Sequence, residues 1–214
     1  MTARRHGPSA QARRDALLRA TVEIVAERGA AGVTHRAVTE RAGLPLATVS
    51  YFFSSIDDLQ AEALRVFVAE EQVTQIAVAE RLGAQQLTAD EVGQALAAAT
   101  APRYPDTLAF FESLLHAART TEFRAPVEEA LVATRAVAHA ALDAVGAPDP
   151  AAIAPALTAL AHGLALQRIA APGLMDETIS YEAFRALVLG YLLQNGHEEL
   201  ALSLSRTSSD PETH

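Results

Sequence analysis

A few side chains in the second half of the chain have types and spacings that could support chemistry. Glu112 and His116 lie four residues apart, and Arg135, His139 and Asp143 follow at four-residue steps, so each group would share one face of a helix. An imidazole beside a charged group can orient a polar ligand. Such groups are equally ordinary on a solvated helix face, and that alternative stays open. A di-iron site is not predicted, because it needs Glu-x-x-His pairs and the sequence has none.

His162 is a further candidate, within the apolar segment ALAHGLAL. A histidine in such surroundings must be hydrogen-bonded or neutral, so it could line a pocket or lie in a subunit interface. We favour a hydrogen-bonded interface histidine over a metal ligand. Cysteine is absent, which excludes disulfides and thiolate metal sites. The HExxH, GxSxG, GxGxxG and Walker-type phosphate signatures are absent too, so we predict no enzyme, cofactor or metal.

The strongest pattern lies between Thr34 and Phe53, where two short amphipathic segments flank a glycine. Thr34 can cap the start of the first segment, and Gly43 can adopt the left-handed conformation that ends it. Pro45 suits the first turn of the second segment, in which Val49 and Phe53 would face the core. The side chains left to project outward are Leu46, Thr48, Ser50 and Tyr51. This is the outline of a helix-turn-helix, whose second helix enters the major groove of DNA.

The flanking segments extend this pattern in both directions. RRDALLRATVEIVAERGAAGVT leads into the motif, and FFSSIDDLQAEAL follows it. Over about residues 13–65 the sequence resembles the DNA-binding end of the TetR family of transcriptional regulators. The resemblance implies an all-helical homodimer whose C-terminal domain binds a small molecule that alters its affinity for DNA.

By matching positions, the resemblance also implies which residues would contact DNA. Thr34 and Arg36 would contact a base or a phosphate from the first helix of the motif. On the second helix, Thr48 and Tyr51 would hold phosphates, and an apolar Leu46 suits the methyl group of a thymine. The complete predicted set is Thr34, Arg36, Pro45, Leu46, Thr48, Ser50, Tyr51 and Phe52.

Charge is distributed unevenly along the chain. The net charge is −9, yet residues 1–60 carry 8 arginines and 6 acidic residues, whereas the remainder carries 9 arginines and 20 acidic residues. Arg4, Arg5, Arg13 and Arg14 lie in the first 14 residues, which contain no acid. A local basic arm matters more than the global sum, because charges are screened beyond roughly 10 Å. The alternative is that this arm is only a solvated tail.

The elements that must position these residues are all helical. Strand alternation and internal repeats are absent, and apolar periodicity with caps predicts about nine helices. Their approximate bounds are residues 10–28, 34–42, 45–53, 57–81, 89–100, 106–120, 126–145, 151–171 and 181–194. The predicted organisation is a disordered basic arm (1–9), a helix-turn-helix domain (10–56), a helical effector-binding and dimerisation domain (57–204) and a disordered tail (205–214).

The larger domain is predicted to hold an effector pocket and a dimer interface. The apolar content of the sixth and seventh helices favours a largely apolar effector, although the same aromatic residues could be ordinary core. The eighth and ninth helices carry more apolar surface than one bundle hides, which predicts pairing across a two-fold axis. The candidate pocket residues are Phe110, Phe111, Leu114, His116, Arg119, Arg135, His139 and His162. The candidate interface residues are Leu157, Leu160, Leu164, Leu187 and Tyr191.

These observations favour a homodimeric repressor that a small apolar molecule releases from a palindromic double-stranded DNA operator. With 214 residues, half of them apolar, the chain can bury a sizeable core. No apolar run approaches the ~18 residues of a membrane span, and the N-terminus lacks the apolar core of a signal peptide, so we expect a soluble cytoplasmic protein with no membrane partner. Two alternatives stay open: a helical enzyme that retains the N-terminal bundle for docking, and a protein–protein adaptor.

Overall fold

The computed structural model describes residues 9–84 and 88–206, and these residues form ten α-helices and no strand. The helices are α1 (Ala10–Arg28), α2 (His35–Ala42), α3 (Ala47–Phe52), α4 (Ile56–Ala84), α5 (Ala89–Ala99), α6 (Asp106–Arg119), α7 (Arg124–Ala144), α8 (Pro150–Ala170), α9 (Glu177–Gln194) and α10 (Glu198–Arg206). Single 3-10 turns, Ala30–Gly32 and Thr121–Phe123, precede α2 and α7. The all-helical prediction is confirmed.

Most helix boundaries agree with the sequence-based ones to within about three residues, but the C-terminal part needs correction. Helix α9 begins at Glu177, four residues early, because the Asp176 side chain caps it by accepting a hydrogen bond from Ile179 N at 2.8 Å. Helix α10 was not predicted, and it takes in Ser205 and Arg206 from the predicted tail. At the other end, Ser9 of the predicted arm caps α1. Residues 1–8 and 207–214 lie outside the described residues.

The described residues divide into two compact units. The first comprises residues 9–71 and 103–129, and the second comprises residues 72–84, 88–102 and 130–206. The first unit does not end at the predicted boundary between residues 56 and 57, because α6 packs against α1 and joins the N-terminal helices. The assignment of functions to the two predicted domains stays a prediction.

The core of the first unit is built on one face of α1. Leu17, Thr21 and Ile24 are fully or almost fully buried, as their helical spacing predicts. The hydroxyl of Thr21 donates to the carbonyl oxygen of Leu17 at 2.8 Å, so this buried polar group is satisfied. Burying each large aliphatic side chain stabilises the fold by about 1.5–3 kcal/mol. This face therefore supports the two helices of the predicted DNA-binding motif.

The core of the second unit joins α5, α7, α8 and α9. Its buried cluster includes Ala97, Leu142, Leu157, Leu164 and Phe184. A polar contact crosses it at the end of α5: Arg168 Nη1 donates to Thr100 Oγ1 at 2.7 Å, and the Thr100 hydroxyl donates to the carbonyl oxygen of Ala97 at 2.7 Å. The C-terminus of α5 is therefore tied to α8 by a cation, the charge that its dipole favours.

Candidate nucleic-acid interface and cavity

Local capping interactions set the geometry of the α2–α3 motif. Thr34 Oγ1 accepts a hydrogen bond from Ala37 N at 3.1 Å, which satisfies one free donor at the start of α2. Gly43 ends α2 with φ 66° and ψ 33°, and Leu44 N donates back to Thr39 O at 2.9 Å. The chain turns sharply here because glycine adopts this left-handed conformation without a steric penalty. The turn agrees with the prediction from sequence.

The second helix of the motif is shorter than the predicted segment from Pro45 to Phe53. Helix α3 runs only from Ala47 to Phe52, and Pro45 belongs to the turn before it. The Pro45 carbonyl accepts a hydrogen bond from Thr48 N, three residues ahead, at 2.9 Å, a tight turn that precedes regular helix. Phe53 has an extended backbone with φ −129°, so it ends the helix. The predicted helix was therefore slightly too long at both ends.

Helix α3 is anchored on one side and exposed on the other. Val49 is completely buried and Phe53 nearly so, which fixes the inner face. On the outer face, Tyr51 is 75% exposed and Ser50 is exposed as well, and Leu46, immediately before the helix, is 60% exposed. This is the division between inner and outer side chains that the sequence predicts. Of the other predicted contacts, Pro45 is exposed, Thr48 and Phe52 are half-buried, and the Tyr51 and Phe52 rings meet edge to face at 4.8 Å.

Arg36 projects into solvent from the first turn of α2. Its Nε lies 2.8 Å from Glu40 Oε1, one helical turn ahead, and both side chains are largely exposed. This hydrogen bond raises the pKa of Arg36 above its ordinary value. Arg36 is therefore accessible to solvent, with Glu40 as its carboxylate partner, and its predicted contact with DNA stays a prediction. The four-residue spacing of Arg36 and Glu40 was visible in the sequence, although the prediction did not use it.

Two further arginines hold the motif to its scaffold. Arg41 donates to Glu23 at 2.9 Å and to Glu27 at 2.6 Å, which fastens α2 to α1. Arg41 also lowers the pKa of the Glu27 carboxyl through this contact. Arg14 pairs with Glu62 on α4, and its guanidinium carbon lies 5.4 Å from the centre of the Phe53 ring. Arg14, counted among the four basic residues near the N-terminus, is thus engaged within the fold, while Arg4 and Arg5 lie outside the described residues.

The residues predicted to line an effector pocket fall into both units. Phe110, Phe111, Leu114, His116 and Arg119 belong to the first unit, and Arg135, His139 and His162 belong to the second. The His116 ring packs edge to face on the Phe123 ring at 4.8 Å. Exposed side chains are found at Arg119, Arg135 and His139, in agreement with the alternative that such groups lie on an ordinary solvated helix face. Burial lowers the pKa of the half-buried His162. The pocket formed by this set stays a prediction.

A cavity lies instead within the second unit, between α5, α7, α9 and α10, and none of the eight predicted pocket residues lines it. The volume of the cavity is about 60 Å³, and a single water needs roughly 10–15 Å³, so the cavity has room for several waters. Leu142 and Phe184 contribute to its mainly apolar wall. Tyr181, also on the wall, donates to Asp90 Oδ1 at 2.6 Å. Sequence spacing could not reveal this site, because Asp90 and Tyr181 are 91 residues apart.

The five predicted interface residues are not equivalent. Leu157 and Leu164 are only 1% and 4% exposed, because this chain's own core already covers them, so they offer no surface to a partner. Leu160, Leu187 and Tyr191 are partly buried against the same cluster. The large apolar side chains that are exposed on α8 and α9 are Leu166, Ile179 and Leu193.

Two other types of site were searched for among the described residues. In residues 9–84 and 88–206, no three His, Asp or Glu side chains are grouped so that they could hold a metal ion. Over the same part of the chain, none of the helices has the length and apolar character needed to cross a membrane.

Two family models match the chain. The model for bacterial regulatory proteins of the tetR family matches residues 17–63. The model for a tetracyclin repressor-like C-terminal domain matches residues 83–193. The first match contains α2, α3 and the turn between them, and the second contains most of the cavity wall. Among curated proteins, none matches the chain.

Several solved structures share the fold. A proposed transcriptional regulator from Streptomyces coelicolor A3(2) is 29% identical, with 82% of this chain and 98% of that chain covered and a TM-score of 0.60. A TetR-family member from Streptomyces coelicolor A3 is 27% identical, with coverages of 82% and 97% and a TM-score of 0.59. The multidrug binding protein EbrR complexed with imidazole is also 27% identical, with coverages of 84% and 95% and a TM-score of 0.59. In complex with proflavin, EbrR aligns at 26% identity, with coverages of 82% and 99% and a TM-score of 0.54.

Proposed function

Because the chain belongs to the TetR family of transcriptional regulators, we propose that it is a ligand-responsive repressor that binds a palindromic DNA operator as a homodimer. One observation carries this proposal: α3 exposes Ser50 and Tyr51, and Leu46 is exposed immediately before it, while Val49 fixes the inner face of the helix in the core. A helix held in this way can enter the major groove without disturbing the fold. Membership of a family of DNA-binding regulators argues against the enzyme alternative.

The proposed contacts divide into those that position the protein and those that read sequence. The hydroxyls of Thr48 and Tyr51 would hold phosphates, and Leu46 would contact a base edge, where its side chain suits a thymine methyl. Arg36 would exchange Glu40 for a base or a phosphate. Since phosphate contacts release counterions, affinity should fall steeply as the salt concentration rises.

Dimerisation would place two copies of α3 on successive turns of the duplex. Two half-sites about 34–36 Å apart would then mirror the two-fold axis of the protein. The exposed Leu166, Ile179 and Leu193 on α8 and α9 support an interface between these helices and their copies. A two-fold interface uses the same surface twice, so a change at one of these positions would act on both subunits.

The effector is proposed to be a small, partly apolar organic molecule. The imidazole and proflavin bound to EbrR, together with the mainly apolar wall of the cavity in this chain, support that class. An effector that lowers DNA affinity must itself be bound more weakly in the presence of operator, by the same factor. A true ligand whose affinity did not change with operator would contradict the coupling.

DNA binding can be tested with a matched pair of tyrosine variants. A preferred sequence is first selected from random duplexes, and dissociation constants are measured over a range of salt concentrations. Tyr51→Phe should weaken binding of the dimer about 100-fold, because it removes one hydroxyl contact to a charged phosphate from each subunit, at about tenfold per contact. Tyr104→Phe, at another exposed tyrosine outside the motif, should leave affinity unchanged. If the wild-type protein binds random duplexes as tightly as the selected one, the proposed function is wrong.

Assembly can be tested with a matched pair of leucines. Leu193 on α9 is 51% exposed and Leu202 on α10 is 52% exposed, so replacing either with glutamate exposes a similar charge to solvent in the free chain. In analytical ultracentrifugation, Leu193→Glu should shift the protein towards monomer, whereas Leu202→Glu should remain dimeric. A wild-type protein that is monomeric at micromolar concentration would contradict the proposed assembly.

A further inference from the structure

Arg185 presents an unsatisfied hydrogen-bond donor beside the cavity of the second unit. Its side chain lines the cavity wall, Nη2 donates to the Ser205 carbonyl oxygen at 2.8 Å, and Nη1 lies 3.8 Å from Glu182 Oε2. Its Nε is buried and has no hydrogen-bond partner. Buried donors in folded proteins are almost always paired, because an unpaired one loses its hydration without compensation. Arg185 therefore keeps one hydrogen-bond donor unpaired next to the cavity.

The other charged group on the cavity wall does not need a ligand. Asp90 Oδ1 accepts the Tyr181 hydroxyl at 2.6 Å, and Asp90 Oδ2 accepts Gln94 Nε2 at 2.6 Å. Both carboxylate oxygens thus accept hydrogen bonds, whereas Arg185 retains a donor without an acceptor. The unsatisfied polar group beside the cavity is therefore a donor on a cationic side chain, which an acceptor such as a carboxylate would satisfy.

We propose that this cavity binds a compact organic carboxylate. The carboxylate would accept hydrogen bonds from Arg185 Nε and an adjacent Nη, the paired geometry that guanidinium and carboxylate groups favour. The apolar body would contact Leu142, Phe184 and Val188 on the wall. A volume that holds several waters suits a molecule with a single ring or a short chain.

The same arginine connects the ligand to α10. The Arg185 contact with the Ser205 carbonyl holds the end of α10, and Leu204, one residue earlier, lines the cavity. Because Nε is covered, a carboxylate reaches it only when the Arg185 side chain turns or the end of α10 moves. Ligand binding should therefore change the protection of the α10 amides against hydrogen exchange.

This inference rests on the proposed function only in treating the carboxylate as an effector, so binding is measured on the full-length protein without DNA. Isothermal titration compares benzoate with benzamide and hexanoate with hexanamide, which differ in charge but hardly in shape. At least one carboxylate should bind the wild-type protein ~10- to 100-fold more tightly than its amide, the range expected for a charged hydrogen bond. Equal or weaker binding of both carboxylates would overturn the proposal.

Variants locate the binding within the cavity. Arg185→Met should abolish the preference for carboxylate over amide, and Arg185→Lys should restore part of it because the charge remains. Arg81→Met, which removes an exposed arginine of α4 outside the cavity, should behave like the wild type. A preference that survives in Arg185→Met would overturn the proposal, and should that variant not fold, Arg185→Lys and the wild-type comparison decide. Carboxylate binding without operator binding would refute the proposed function alone, and the reverse result would refute this inference alone.

Discussion

Replacing Gly43 with alanine tests whether the turn between α2 and α3 depends on the backbone conformation of one residue. Gly43 has φ 66° and ψ 33°, a left-handed conformation that costs most L-residues about 1–2 kcal/mol. A Cβ built at this position meets no atom within 4 Å, so the penalty is purely conformational. The lower entropy of the unfolded chain offsets about 0.4–1 kcal/mol. We therefore expect a net destabilisation of about 1 kcal/mol.

Thermal unfolding followed by circular dichroism measures this change. In a chain of this size 1 kcal/mol lowers the melting temperature by about 2–4 °C, and hydrogen exchange of the α2 and α3 amides should show where stability is lost. Gly43→Asn should lose less, because asparagine tolerates the left-handed region. Gly83→Ala is the control: Gly83 is the second-last residue of α4, with open space around it and no positive φ, so alanine there should not destabilise the protein. If the Gly43 and Gly83 variants are equally stable, the conformational argument is refuted.

Three further predictions follow from contacts in the structure. Thr100→Val should lower the free energy of unfolding by about 1–3 kcal/mol, because the buried Arg168 contact loses its acceptor, whereas Thr158→Val should be nearly neutral in the same urea titration, since its hydroxyl bonds only to its own helix. Burial lowers the pKa of His162, so the imidazole binds a proton more tightly in the unfolded chain than in the folded one. The free energy of unfolding should therefore be highest above about pH 6.5 and decrease as the pH falls below that value. A His162→Gln variant that shows the same decrease would contradict this prediction. Glu40→Gln should tighten binding to DNA severalfold and steepen its salt dependence, because it frees the Arg36 guanidinium from its partner and removes a negative charge. Unchanged binding would show that Arg36 does not contact DNA.

Helix boundaries were predictable from the sequence wherever a capping residue close to the helix end determines them. Thr34 and Gly43 act through neighbours three to five residues away, so their types and positions carry the necessary information. Helix α10, EELALSLSR, was not predicted, although most of its residues lie in the predicted helical domain, and nine residues form only a marginal helix in isolation. In the structure it packs against α9, and this tertiary contact adds the stabilisation that so short a helix needs.

The sequence by itself determined that the chain is helical and that it carries a helix-turn-helix with an exposed outer face, since periodicity and caps are local properties. Only the tertiary structure decided which surfaces meet. The periodicity indicates that Leu157 and Leu164 are buried, but it does not show which residues cover them. In the structure they lie in this chain's own core. The cavity likewise depends on how α5 and α9 pack, because that packing brings Asp90 to Tyr181 across 91 residues of sequence. Contacts between distant segments follow from the packing of whole helices, which no local pattern encodes.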